Sequence, residues 1–63
     1  MTQKELSYVE DALGHEENII KICNDLVNKL DDDRLVTFLN EEIEKHNNMK
    51  QKLLSLLEVK ANG

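Results

Sequence analysis

Three consecutive aspartates, Asp31, Asp32 and Asp33, stand at the middle of a 63-residue chain that contains no proline. On either side of them apolar residues recur at helical spacing, over about residues 3–30 and about residues 34–60. A polar turn this short leaves two long helices only one arrangement, lying antiparallel as neighbours. The expected fold class is therefore all-α, a helical hairpin forming one domain over residues 1–63. Thr2 with Glu5 three positions later has the capping-box pattern, which places the first helix start near residue 3. At the junction one aspartate is expected to cap the second helix while the others favour the positive end of its dipole. No spaced oxygen ligands follow, so the run reads as a solvated turn and not as a calcium loop. Asn62 and Gly63 are expected to be a frayed end.

In the first helix Leu6, Val9, Leu13, Glu16, Ile20, Cys23, Val27 and Leu30 alternate steps of three and four, and every member but Glu16 is apolar. Ala12, Ile19 and Leu26 lie beside this seam, flanked by Tyr8, His15 and Ile22. In the second helix Leu35, Leu39, Glu42, His46, Met49, Leu53 and Leu56 make the matching alternation, widened by Val36, Ile43 and Leu57. Each apolar face is wider than one partner helix can cover. Two hairpins packed as a four-helix bundle, a homodimer with two-fold symmetry, would supply the missing cover.

Composition leads to the same need. A chain this short buries only about 60% of the surface that its unfolded form exposes, and chains of this size usually lean on a disulfide, a metal or a partner. Cys23 is the single cysteine and cannot pair within the chain. A lone thiol suits a reducing compartment, and neither a leader nor an apolar run near 18 residues is present, so a cytoplasmic location and no membrane partner are expected. Thirteen acids against eight Lys and Arg give a net charge of −5, which argues against nucleic acid as a partner.

Three polar residues interrupt the seams. With the turn centred near residue 32, Glu16 and His46 fall within about 3 Å of one level, and Glu42 lies one turn, about 6 Å, from His46. An unpartnered carboxylate on an inner stripe is costly, so these groups should satisfy one another or hold a cation. One reading is a hydrogen bond between Glu16 and His46 that fixes register, as polar core residues do in coiled coils. The other is a pair of metal ions held by two copies of Glu16, Glu42 and His46; a third is that the side chains reach solvent at the stripe edge. His15 reads as a flank histidine, or as a residue supporting a metal ligand from outside. Gly14 is unfavourable inside a helix by about 1 kcal/mol relative to alanine. Cys23, two turns from Glu16, reads as a small buried hydrophobe. No nucleophile with a base, glycine-rich phosphate loop or paired-cysteine zinc motif occurs, and nothing requires catalysis.

A first helix with an inward Glu, then a turn, then a second helix carrying "EEIEKH" resembles half of a ferritin-like or rubrerythrin-like bundle. In that family each half supplies one Glu from its first helix and a Glu-x-x-His from its second. The wording "YVEDALGHEENII", with a later Cys, an Asp-rich turn and a His in the second helix, also resembles the small ferritin-like proteins grouped with spore coat protein F of spore-forming bacteria. The resemblance implies a ferritin-like bundle, with Glu16 and His46 at the ligand positions, iron or manganese as the metal, and a coat component or other assembly proteins as the setting. The position three before His46 is Ile43, however, so the motif is broken and only Glu42 is available. That departure favours a small non-enzymatic assembly protein over a di-iron or di-manganese carboxylate protein.

Overall fold

The computed structural model describes the backbone of residues 1–62 and the side chains of residues 1–59. Among these residues there are two helices and no strand: α1, Gln3–Val27, and α2, Asp33–Asn62. The helices pack against each other as an antiparallel hairpin, a rod of 46 × 15 × 12 Å. Neither is long and apolar enough to cross a membrane.

Local chemistry sets the ends. Thr2 is extended at the N-cap, its hydroxyl accepts from the Glu5 N–H at 3.1 Å, and the Thr2 N–H donates to the Glu5 carboxylate at 2.8 Å. The capping box thus satisfies two of the free donors of the first turn. Ser7 and Ser55 sit inside the helices without breaking them because each hydroxyl donates to the carbonyl one turn back, at 3.2 and 2.9 Å.

α1 stops at Val27, three residues before the end expected from the periodicity. Asn28 closes it in a right-handed conformation, and the Lys29 N–H turns back to the Leu26 carbonyl at 2.9 Å. The last turn of α1 carries no basic residue to favour its negative end, while the aspartates that follow are used by the next helix. The Asp32 carboxylate accepts from the N–H groups of Arg34 and Leu35 at 2.9 and 3.2 Å, and its carbonyl accepts from Val36 at 3.0 Å. Asp32 is the N-cap of α2 and Asp33 occupies the first turn beside the positive dipole end. The backbone of α2 runs through Asn62; Gly63, part of the expected frayed end, lies outside the described residues.

The inner face of α1 is the expected one: Glu16 and Cys23 are buried, and Leu6, Val9, Leu13, Ile20 and Val27 are half-buried, as are Ala12 and Ile19 beside them and Leu30 just beyond the helix. The inner face of α2 is turned relative to expectation. Val36, Leu39, Ile43, His46, Lys50, Leu53 and Leu57 are half-buried there, with Glu42 and Leu54 half-buried at its two edges, whereas Leu35, Met49 and Leu56 are 48%, 44% and 52% exposed. The half-buried set keeps the three-and-four spacing but includes a lysine. A Lys can lie on such a face because its stem packs while its ammonium reaches water.

Candidate functional site: a carboxylate–imidazole–carboxylate chain

At mid-rod, the inner stripe of α1 carries Glu16, and that of α2 carries His46 with Glu42 one turn before it. His46 Nδ1 hydrogen-bonds to Glu16 Oε2, and His46 Nε2 lies 3.4 Å from Glu42 Oε2. The first contact joins the helices; the second lies along α2 at i,i+4, where side chains meet on one helix face. Exposure falls toward α1, from 30% for the Glu42 side chain to 18% for His46 and 11% for Glu16. Glu16 is thus the carboxylate that most needs its partner, since water reaches it least.

An ionised carboxylate only accepts hydrogen bonds, so the Glu16 contact calls for a hydrogen on Nδ1, and the Glu42 contact is strongest with one on Nε2 as well. The imidazole therefore links two acceptors in a line. Among the described residues no buried side-chain nitrogen or oxygen is left without a partner. A one-residue slip of either helix, about 1.5 Å of rise with about 100° of rotation, would take Glu16 away from the ring. The contact thereby specifies both register and the rotation of α2.

The same geometry bears on metal binding. Among the described residues no group of three or more His, Cys, Asp or Glu side chains is placed to hold a metal ion. Both ring nitrogens of His46 face carboxylates, so neither is directed at a point shared by Glu16 and Glu42 as a ligand set requires. The expected pair of metal ions draws on two copies of these residues, and the contacts described lie within one. His15 is exposed on the flank of α1 and takes no part in the chain of contacts. Cys23 is 8% exposed on the inner face. A Cβ added at Gly14 would meet nothing within 4 Å, so that glycine serves no close approach inside the hairpin.

A shallow groove of about 350 Å³ lies on the outward side of α2, lined by Asp33, Arg34, Thr37, Phe38 and Glu41. Lys50 on the inner face was not singled out from the sequence; the signal available was its place three residues before Leu53 and four after His46. No family model matches the chain, and no curated protein or solved structure matches it either.

Proposed function

We propose that this chain is a small non-enzymatic assembly protein, a ferritin-like half-bundle that a second copy completes into a four-helix bundle. The observation that carries the reading is the thinness of the core. Cys23 is the sole buried hydrophobic among the described residues, none of whose side chains is fully enclosed, while large apolar residues from Leu26 at 40% to Val59 at 71% face solvent. A 63-residue chain with so little interior gains its missing burial from a partner, and exposed apolar surface of this extent marks a place where protein packs on protein. Glu16, His46 and Glu42 then act as the polar element that fixes how the helices meet. On the resemblance of "YVEDALGHEENII" to the coat protein F group, the assembly is made in the cytoplasm and incorporated in a spore coat, with other coat proteins as further partners.

Light scattering on the purified chain tests the bundle: a mass twice 7.3 kDa at tens of micromolar is expected, and a helical species of 7.3 kDa would overturn it. Elemental analysis after anaerobic loading with iron or manganese tests the non-enzymatic part. Absence of bound metal is expected; ions held by the native protein and lost in both Glu16→Ala and His46→Ala would favour a di-iron or di-manganese protein.

A further inference from the structure

Each helix carries a second seam that the hairpin covers only in part, with Ala12, Ile19 and Glu42 half-buried and its other members exposed. On α1 it runs through Tyr8, Ala12, His15, Ile19, Ile22 and Leu26, again in steps of four and three, with Tyr8 60%, Ile22 48% and Leu26 40% exposed. On α2 it runs through Leu35, Phe38, Glu42, Lys45, Met49, Lys52 and Leu56, of which Phe38 is 55% exposed. At about 100° per residue each second seam lies roughly a quarter-turn from the inner face of its own helix, in the same rotational sense along its own chain. Two antiparallel helices that face each other bring equal senses to the same side. The two lines therefore form one side of the rod, which carries the exposed large apolar residues Tyr8, Ile22, Leu26, Leu35, Phe38, Met49 and Leu56, with Lys45 and Lys52 between them on α2. The other side is mostly polar, with Glu10, Glu17 and Asn24 on α1 and Asn40, Glu44, Asn47 and Glu58 on α2 exposed and Leu54 half-buried among them.

Resting on the assembly reading, we infer that the second copy docks on this one side, seam to seam, with the acidic sides of both copies outermost. Charge selects the side. Two chains of net charge −5 repel, and this side is where they can meet without opposing their carboxylates, because Glu42 is turned inward to His46. Shape selects it as well. Both seams are centred at the level of the Glu16–His46 contact, so a two-fold related copy overlaps along their whole length. The stretch from Tyr8 to Leu26 is about 27 Å long and two helices are about 20 Å wide, so a pair buries roughly 1,000 Å², the size at which specific interfaces begin. His15 is the ionisable residue of the α1 seam and sits near its middle.

The experiment compares Ile22→Glu and Met49→Glu with Asn24→Glu and Asn47→Glu by sedimentation equilibrium, which adds the same charge to either side of the rod. The dissociation constant should rise at least tenfold for each of the first two and stay within about twofold for the others. A native dimer that the Asn variants break and the apolar-side variants leave intact overturns the choice of side but keeps the dimer; a native chain that stays monomeric overturns the dimer itself. Tyr8, the one tyrosine in a chain without tryptophan, supplies a probe without mutation. Its emission should be shielded from acrylamide in the dimer and become quenchable on dilution. Equal quenching in dimer and monomer would overturn the choice of side, whatever the variants do to folding.

Discussion

The two inner faces of the hairpin are built on different terms. α1 meets its partner with an apolar seam broken once, by Glu16, with Ala12 and Ile19 half-buried at its edge. The inward line of α2, Val36, Leu39, Ile43, His46, Lys50, Leu53 and Leu57, is broken twice, while Leu35, Met49 and Leu56 face out on a line that also carries Glu42, Lys45 and Lys52. Of the two apolar lines on α1, the one that carries Glu16 is turned inward. On α2 the inward line holds His46 against Glu16 and leaves Leu35, Phe38, Met49 and Leu56 free for a second partner.

Breaking the polar contact should therefore have the largest effect. His46→Ala leaves the Glu16 carboxylate, 11% exposed, without its partner, and Glu16→Ala takes from the ring the acceptor on its less exposed side. Each should cost on the order of 3 kcal/mol, a large part of what a domain of this size commands. The double variant Glu16→Leu with His46→Leu should recover most of that loss, because apolar residues of similar volume often replace a buried pair without cost. Thermal unfolding followed by circular dichroism at one fixed protein concentration measures all three. Additive losses in the double variant would show that the contact does not set the face of α2.

Lys50 sharpens the comparison. With α2 turned as observed, Lys50→Leu places an apolar side chain against α1 and should stabilise the hairpin by about 1 kcal/mol, part of what full burial of a leucine brings. With Met49 inside instead, the same change would only add an exposed leucine. Hydrophobicity placed most of the α2 face, Val36, Leu39, Ile43, Leu53 and Leu57 among it, and misread only its edge: Lys50 reads as a break in a core stripe, and Leu35, Met49 and Leu56 read as core, when periodicity is scored without the cross-helix partner. What was legible has local causes. Thr2 and Glu5 mark the start of α1, and the aspartate run marks the reversal. Glu16 opposite His46 follows from rise per residue once the turn is placed, and the placement was close enough to bring them together although it centred the turn slightly late. The early end of α1 was not legible, since Leu30 continues the seam while the backbone has already left the helix at Asn28.

Gly14 probes α1 away from either seam. Its Cβ position is open and the backbone contains no positive φ among the described residues, so Gly14→Ala should stabilise the chain by about 1 kcal/mol through helix propensity alone. The gain should appear in the melting temperature and leave the dissociation constant of the dimer per folded chain unchanged. A lowered melting temperature would mean that the second copy approaches α1 from the side that carries Glu10, Glu17 and Asn24.

The smallest contrast lies within the aspartate run, where three identical side chains have been given three positions by the backbone. Asp32 holds two N–H groups of α2 with its carboxylate, so Asp32→Ala should cost about 1 kcal/mol, the usual price of a lost N-cap. Asp33 sits in the first turn and acts only through the dipole, so Asp33→Ala should cost a few tenths of a kcal/mol, and less as salt is raised. Asp31 precedes the cap and should be near neutral on substitution. Chemical denaturation of the three single variants ranks them. An equal loss from all three would mean that the run acts as undivided charge, and the geometry of the Asp32 carboxylate predicts that it does not.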